Sequence, residues 1–191
     1  MSGSVVFPEE IESAITEAEG RALADLARGR TVLELGAWLG CSTVCIAQTA
    51  AKVVSVDWHR GDEHAGPGRT LAGYIQSLDR YGLADRVVTV VARFEDVLPL
   101  LADQSFDFIF LDGAHSYEHV RRDIAAMRHA LTAGGALAFH DFGVEVSPVG
   151  RGPFGVTQAL LEAFGEPDRV VDTLAIYTGL RPEGSIRRTE K

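Results

Sequence analysis

The stretch TVLELGAWLGCST, residues 31–43, runs from an apolar segment through two glycines into a helical pattern. Thr31–Leu35 has the composition of a buried strand. Gly36 and Gly40 let the backbone turn tightly and let a ligand approach it closely. The helix that follows would present free N–H groups at its first turn. The spacing E-x-G-x-x-x-G differs from the dinucleotide fingerprint G-x-G-x-x-G, and no G-K-[ST] of a phosphate loop follows.

Downstream of this stretch, two sequence patterns alternate. Near-continuous apolar runs, typical of parallel strands covered on both faces, occupy residues 53–57, 87–91, 107–111 and 136–140. Helical spacing of apolar residues predicts helices at about 41–51, 70–81, 96–102, 117–132 and 156–164, with Gly134-Gly135 ending the fourth. Strands and helices that alternate in this way predict a doubly wound, Rossmann-like α/β sheet.

The two ends of the chain depart from this alternation. Residues 170–171 and 174–177 are β-rich and too close together for a crossover helix, which predicts an antiparallel hairpin. Before the first strand, a helix is predicted to start at Pro8 and end at Gly29. Its apolar face would comprise Ile11, Ile15, Ala18, Ala22 and Leu26. We therefore expect a helical extension over 1–29, one domain over 30–180 and a polar tail over 181–191.

The composition narrows the classes of function. The 191 residues carry 18 Lys and Arg against 27 Asp and Glu, a net charge of −9, which argues against nucleic acid as a partner. The sequence has no apolar run near the roughly 18 residues of a membrane span and no signal-peptide pattern, so we expect a cytoplasmic protein without a membrane partner. Two cysteines, Cys41 and Cys45, cannot build a disulfide framework.

Acidic and histidine residues follow three of the predicted strands. Asp57 ends the second strand, 23 residues after Glu34, close to the spacing at which an acid binds the ribose hydroxyls of an adenosine-type cofactor. The segment Asp112 to His115 follows the fourth strand, and His140-Asp141 ends the fifth. If these two strands are neighbours, their side chains meet at one sheet edge, where the carboxylates need a metal, a proton or a cationic substrate.

Four segments carry a family resemblance: ELGAWLG, SVD, FDFIFLDGAH and GGALAFHDF. Together they resemble the class I S-adenosylmethionine-dependent methyltransferases. More narrowly, they are similar to the small-molecule O-methyltransferases that include catechol O-methyltransferase and antibiotic-tailoring sugar O-methyltransferases. The resemblance spans residues 30–180, and it implies a seven-stranded sheet with an antiparallel seventh strand.

The resemblance also implies a donor site. The first loop would contribute Glu34, Gly36, Ala37, Trp38, Gly40 and Ser42 to binding of the methionine and ribose parts of S-adenosylmethionine. Asp57 would bind the ribose hydroxyls, and Trp58, Phe94 and Glu95 would border the adenine, with Asp112 nearby. For Trp58 and Phe94 the alternative is packing in the core, where aromatic residues after strands are common.

Two mechanisms are open for activating an acceptor. Asp112 and Asp141 would supply oxygen ligands to Mg²⁺ or another divalent metal, with His140 at the position where metal-dependent relatives have a second oxygen ligand. Without a metal, His115 or His140 would act as general base. A structural alternative is that His115 caps the following helix and Asp112 only accepts backbone N–H bonds at the turn.

These observations predict an S-adenosylmethionine-dependent methyltransferase acting on a hydroxyl of a small molecule. Loops 59–69 and 142–155 and the N-terminal helix would form the acceptor pocket, and a second subunit of a homo-oligomer is the alternative source of one wall. Three rival functions are a methyltransferase fold without transferase activity, a nicotinamide-dependent oxidoreductase, and a nucleic-acid or protein methyltransferase. The glycine spacing and the terminal hairpin disfavour the oxidoreductase. The net charge and the lack of an N/D-P-P-Y/F motif disfavour base methylation.

Overall fold

One mixed sheet organises residues 5–62, 66–103, 105–146 and 152–180, the part of the chain that the computed structural model describes. Its seven strands there are β1 Thr31–Leu35, β2 Lys52–Asp57, β3 Val87–Val91, β4 Phe106–Leu111, β5 Leu131–Phe139, β6 Arg169–Val171 and β7 Leu174–Leu180. The order across the sheet is β3-β2-β1-β4-β5-β7-β6. Strands β1 to β5 are parallel, and β7 is antiparallel to both β5 and β6. The predicted Rossmann-like sheet and its terminal hairpin are confirmed.

Helices cover both faces of the sheet. They are α1 Glu17–Ala27, α2 Cys41–Ala47, α3 Leu71–Arg80, α4 Phe94–Val97, α5 Tyr117–Met127 and α6 Val156–Phe164, with short 3-10 turns at Ala84–Arg86, Leu98–Leu100 and Arg128–Ala130. Alternate residues of β4 serve two cores: Phe108 and Phe110 pack with α1 to α3, whereas Ile109 and Leu111 pack with α5 and α6. No helix in the described ranges is long and apolar enough to cross a membrane.

Strand register aligns the chain segments that leave the sheet at its carboxyl edge. Leu35 lies opposite both Val56 of β2 and Leu111 of β4, and Leu111 lies opposite Phe139 of β5. The loops after β1, β2, β4 and β5 therefore start at the same level. The strand order reverses between β1 and β4, where flanking loops diverge and leave the crevice in which α/β proteins bind ligands.

The start of α1 corrects the predicted N-terminal helix. The helix begins at Glu17 rather than near Pro8, because Thr16 and Glu19 form a capping box that fixes the first turn. Ile15 is buried in the irregular segment before the cap, as is Ile11, whereas Ala18 is exposed. The predicted helix was therefore wrong over residues 8–16, although Ile11 and Ile15 of its predicted apolar face are buried.

The ends of three other helices also differ from prediction. Helix α5 ends at Met127, and Gly134-Gly135 lies inside β5 instead of terminating the helix, because Leu131 pairs with Phe106 of β4. Helix α2 ends at Ala47. The predicted helix 96–102 is one α-helical turn followed by a 3-10 turn containing Pro99, which has no N–H to continue an α-helix.

The predicted division into an extension over 1–29, a domain over 30–180 and a tail over 181–191 stays a prediction. Helix α1 shares a buried core with α2, to which it contributes Leu23 and Ala27. The predicted tail 181–191 lies outside the described residues, as do residues 63–65 and 147–151 of the two predicted loops. The described parts of the first loop include a two-stranded antiparallel ribbon, Gly61–Asp62 with Gly66–Pro67.

Candidate active site

The turn after β1 is pressed against the end of β4. Gly36 has φ +96°, and a Cβ added there would lie 1.9 Å from the carbonyl oxygen of Asp112. Asp112 in turn donates its backbone N–H to the Leu35 oxygen at 2.8 Å. Only glycine satisfies both the left-handed backbone and this close approach. The turn of residues 36–40, which we call the donor loop, is therefore in direct contact with the predicted acidic cluster at Asp112.

Glu34 lies beneath the donor loop and is fully buried. Its carboxylate accepts hydrogen bonds from Ser42 Oγ at 2.8 Å, Thr43 Oγ1 at 2.6 Å and Ser55 Oγ at 2.7 Å. Burial raises the pKa of Glu34 to about 7, although the three hydroxyl groups oppose that shift. Glu34 and Ser42 therefore join the first turn of α2 to the sheet, and direct contact of either with the donor stays a prediction.

Asp57 holds the donor loop from the neighbouring strand. Its Oδ2 accepts from the backbone N–H groups of Ala37 and Trp38, each at 2.8 Å, and its Oδ1 accepts from His59 N–H at 2.6 Å. The side chain stays 19% exposed. Each carboxylate oxygen has two lone pairs, so Asp57 can fix the loop and still accept one further hydrogen bond, at Oδ1.

Trp38 and Gly40 shape the exposed side of this loop. Trp38 has φ +46° and is 42% exposed, so its ring is available to a ligand. Gly40, at φ +91°, is the residue before the first turn of α2.

The predicted adenine-side residues lie in different surroundings. Two guanidinium groups lie over the Trp58 ring, with Arg93 Cζ 4.4 Å and Arg60 Cζ 5.0 Å from its centroid. Phe94 borders the turn after β4, because a Cβ on Gly113 would lie 2.5 Å from its ring. Both rings are partly exposed, and Phe94 also packs against the core on the side of α5 and α6, which was the alternative expected for it.

Glu95 is exposed at the surface next to Phe94. It pairs with Arg122 at 3.1 Å and Arg93 at 3.5 Å. The predicted contact of Glu95 with the donor stays a prediction.

Two carboxylates and two imidazoles meet where β4 and β5 end. His115 Nε2 lies 2.8 Å from Asp141 Oδ2 and 3.8 Å from Asp112 Oδ1. His140 Nδ1 lies 3.3 Å from Asp141 Oδ2 and 3.5 Å from Asp112 Oδ1. Asp141 has φ +63°, a left-handed conformation in which the backbone turns sharply after the strand. The structure therefore brings together these four residues, which we call the acid–histidine cluster.

In the acid–histidine cluster, the carboxylates stabilise the protonated imidazoles, and the imidazoles stabilise the ionised carboxylates. Burial alone would raise the pKa of Asp112 and Asp141, but the neighbouring imidazoles hold both below their ordinary value. Burial alone would lower the pKa of the histidines. The carboxylates outweigh it, raising the pKa of His115 to about 9 and that of His140 well above its ordinary value. At neutral pH the imidazolium groups compensate the carboxylates, which is one of the three cation sources expected from the sequence.

Glu19 of α1 contacts this cluster, which the sequence analysis missed. It is fully buried, and its Oε2 lies 3.5 Å from His140 Nε2. Burial raises the pKa of Glu19, but His140, Thr16 and Thr173 together bring it below the ordinary value. The signal in the sequence is the T-x-x-E pattern of Thr16 to Glu19, which predicts a helix start. No sequence pattern indicates that this helix start would face β5.

Phe154 also approaches the cluster. Its ring stacks on His115, with centroids 4.3 Å apart and planes inclined by 15°. Gly155 donates its N–H to the His115 oxygen at 2.7 Å, and Val146 bridges to Pro153. The described ends of the loop after β5 therefore return to the site, in accordance with the expectation that this loop borders it.

Three side chains of the cluster could hold a metal ion. One ligand atom from each of Asp112, His115 and Asp141 lies within 4.8 Å of the others, the one such group of three or more in the described ranges. This group has His115 where the sequence analysis predicted His140. His140 instead lies between Glu19 and the two aspartates. A nitrogen and two oxygen donors suit a divalent transition ion as well as Mg²⁺.

A comparison with models of protein families identifies the family to which this chain belongs. A family model described as a methyltransferase domain matches residues 33–142, which include the donor loop, Asp57 and the acid–histidine cluster. The chain belongs to the methyltransferase-domain family. The expected membership of the class I methyltransferases is thereby confirmed, and the region of the match contains every residue of the predicted donor site.

Two curated relatives of this methyltransferase-family chain are similar over part of their length. Catechol O-methyltransferase of Mycobacterium tuberculosis is 36% identical over 105 residues, which are 52% of this chain and 44% of that protein. The uncharacterized protein y4gI of Sinorhizobium fredii is 31% identical over 147 residues, 73% of this chain and 15% of that protein. The chain therefore spans less than half the length of each of these relatives.

Two solved structures share the fold. Cofactor-bound Rv0187 from MTB has a TM-score of 0.68 at 24% identity, over 89% of this chain and 84% of that chain. The O-methyltransferase TomG of Streptomyces achromogenes, solved with SAM, has a TM-score of 0.61 at 22% identity, over 78% of this chain and 67% of that chain. At these identities the similarity supports the Rossmann-like methyltransferase fold alone.

Proposed function

We propose that the protein transfers the methyl group of S-adenosylmethionine to a hydroxyl of a small molecule. The observation that carries this proposal is the contact between the donor loop at Gly36 and the acid–histidine cluster at Asp112. A sulfonium held by the loop would lie beside carboxylates, and an acceptor hydroxyl would lie beside His115 and Asp141. The relatives named above, a catechol O-methyltransferase and TomG, support an oxygen acceptor.

The donor would be held by polar and aromatic groups of the loops after β1 and β2. Three of the four lone pairs of the Asp57 carboxylate are used by these loops, so one is left to accept a ribose hydroxyl. The partly exposed rings of Trp58 and Phe94 would flank the adenine, where aromatic faces pack well. The negative charge of Asp112 would favour the cationic sulfonium over the neutral product, which promotes exchange after turnover.

Methyl transfer needs an oxygen nucleophile and a place for its proton. The acceptor oxygen attacks the methyl carbon, the carbon–sulfur bond breaks, and S-adenosylhomocysteine leaves with the electron pair. His115 is the base in this proposal, oriented by Asp141 at 2.8 Å. Its raised pKa of about 9 means that it holds a proton in the free protein. A bound sulfonium repels that proton and lowers the pKa, so donor binding prepares the base.

A divalent metal is compatible with the same residues. Asp112, His115 and Asp141 would hold it, and the chemistry it supplies when bound is a lowered pKa of the acceptor hydroxyl. In that case His115 binds as neutral imidazole and releases its proton, so metal affinity rises with pH. Asp112 and Asp141 would then hold the metal that positions the acceptor, and Asp141 would no longer orient His115 as a base.

The first experiment is a calorimetric titration of S-adenosylhomocysteine into chelator-treated protein, followed by Mg²⁺ and then Zn²⁺. Donor-product binding is expected for the wild type. Heat from a metal that disappears in Asp141→Ala, but not in the exposed control Glu118→Gln, supports the metal-assisted form. Product binding without metal heat supports His115 as the base.

Turnover decides the transferase activity itself. Incubation with S-adenosylmethionine and a panel of catechols, phenols and sugars should give methylated product by mass spectrometry, and His115→Gln should reduce it at least about 100-fold. Binding of the donor product without turnover on any acceptor would instead favour a binding role for the fold. The small-molecule acceptor, the cytoplasmic location and the oligomeric state stay predictions.

A further inference from the structure

Glu19 joins three separate parts of the chain. Its Oε2 accepts the Thr16 N–H at 2.7 Å, which caps α1. Its Oε1 accepts both the N–H and the hydroxyl of Thr173 in the β6–β7 turn, each at 2.8 Å. Its Oε2 also lies 3.5 Å from His140 Nε2. A carboxylate that is 0% exposed and has this many partners has one orientation available to it.

We propose that Glu19 is a positioning residue for His140, a role that rests on the proposed methyl transfer. The imidazole lies between Glu19 on its Nε2 side and the Asp112 and Asp141 oxygens on its Nδ1 side. A ring with carboxylates on opposite sides cannot turn over without moving one nitrogen away from its partner. Glu19 therefore fixes which nitrogen of His140 faces the reacting edge.

The geometry separates this role from the two structural roles of the same side chain. Capping of α1 needs only an acceptor at this position, and a capping box accepts Gln as well as Glu. The Thr173 bonds also need only an oxygen acceptor. Attraction of the His140 ring, in contrast, needs negative charge at Oε2. Burying that charge is costly unless it is paired, and His140 Nε2 faces it at 3.5 Å.

His140 is well placed to transmit this constraint. Only 3% of its side chain is exposed, and neither ring nitrogen has a partner in good hydrogen-bond geometry. Its contacts with the carboxylates are therefore charge contacts at 3.3–3.5 Å. Through Asp141, which also contacts His115, the orientation of His140 affects the proposed base.

Three variants test the proposal. Glu19→Gln removes the charge and keeps an acceptor, whereas Thr173→Val removes one hydroxyl that binds Glu19 and leaves His140 untouched. Asp123→Asn removes a different buried carboxylate, 2% exposed and paired with Arg122 away from the site. Each is measured for thermal unfolding, product binding, kcat and KM, and the ¹⁵N NMR signals of the His140 ring at one fixed pH.

Glu19→Gln is expected to lower kcat about 10- to 100-fold, as loss of an outer partner typically does, with KM for donor and acceptor within about twofold. The His140 ring signals should shift in this variant alone. Thr173→Val and Asp123→Asn should leave both kcat and the His140 signals near wild type. Equal kcat in Glu19→Gln and Thr173→Val, or unshifted His140 signals in Glu19→Gln, would overturn the proposal.

The NMR readout keeps this test separate from that of the proposed function. If the wild type methylates no acceptor, the proposed function fails, and the His140 signals alone decide whether Glu19 orients the ring. If Glu19→Gln does not fold, Glu19→Asp keeps the charge and withdraws it by one methylene. A shifted His140 signal and a reduced kcat in that variant would support the positioning role, and wild-type values of both would refute it.

Discussion

Individual carboxylates in this chain have different charge states because they have different neighbours. Glu34 is surrounded by hydroxyl groups and buried apolar side chains, and burial raises its pKa to about 7. Asp112 and Asp141 are also largely buried, yet two imidazoles hold their pKa values low. Glu34 therefore changes charge near neutral pH, whereas Asp112 and Asp141 remain ionised.

The raised pKa of Glu34 predicts a pH-dependent stability. Its folded pKa of about 7 exceeds the ordinary value of 4.5, so ionisation opposes folding, and stability falls as pH rises between these values. Glu34→Gln should therefore gain stability relative to wild type from pH 5 to pH 8, by roughly 3 kcal/mol at most. Urea unfolding at both pH values measures this difference. Exposed Glu118→Gln should show no such trend, and a pH-independent difference for Glu34→Gln would contradict the prediction.

Asp57 provides a second prediction for a single side chain. Asp57→Asn replaces one acceptor oxygen by an N–H donor, so either the Ala37 and Trp38 N–H groups or the His59 N–H loses its acceptor, and the donor loop loses part of its support. We expect affinity for S-adenosylhomocysteine to fall about 10- to 100-fold in calorimetry. Asp107→Asn is the matched control, because Asp107 accepts the Thr31 N–H at the opposite edge of the sheet. Equal affinities for the two variants would refute a donor-binding role for Asp57.

Among the elements, the turn between β1 and α2 has the least room for change. It contacts the end of β4 at Gly36, whereas Gly134, within β5, has no atom within 4 Å of its Cβ position. Both Gly36 and Gly134 have positive φ, at +96° and +82°. A pair of substitutions can therefore separate the cost of backbone strain from the cost of close approach.

Gly36→Ala should be far more disruptive than Gly134→Ala. Both place a Cβ on a left-handed backbone, which costs about 1–2 kcal/mol, but only the first forces the donor loop away from Asp112. We expect Gly134→Ala to bind S-adenosylhomocysteine normally and Gly36→Ala to lose measurable binding or to fail to fold. Calorimetry and circular dichroism distinguish these results. Normal binding by Gly36→Ala would show that the contact with Asp112 is dispensable.

For the molecule as a whole, helix α1 is part of the core and of the site. Leu23, Ala24 and Ala27 are 0% exposed against the rest of the chain, and Glu19 faces His140. Removal of residues 1–28 would uncover this apolar surface and leave His140 without its partner. We expect the truncated chain to lose its cooperative thermal transition and its binding of S-adenosylhomocysteine. A sharp transition with intact binding would identify α1 as a separable extension.

Much of this organisation could be predicted from the sequence. Apolar runs predicted the five parallel strands, and the short link at Asp172-Thr173 predicted the antiparallel end, because each depends on local patterns. Alignment of strand ends then placed Asp112, His115, His140 and Asp141 together. Contacts between distant segments could not be predicted, since no local pattern records that Glu19 packs against β5 or that Leu131 begins a strand by pairing with Phe106.

The bonds from α1 to the β6–β7 turn join residues that lie far apart along the chain, so a ribosome adds them at well-separated times. Thr16 binds Asp172 and Glu19 binds Thr173 across 156 and 154 positions, and β7 covers the edge of β5. While residue 170 is being added, a nascent chain can already assemble the donor loop, but β5 still presents an unpaired edge. Such edges join other chains readily. The contacts between Glu19 and the β6–β7 turn therefore form after the donor loop, and a premature stop before Leu174 would release a polypeptide prone to aggregate.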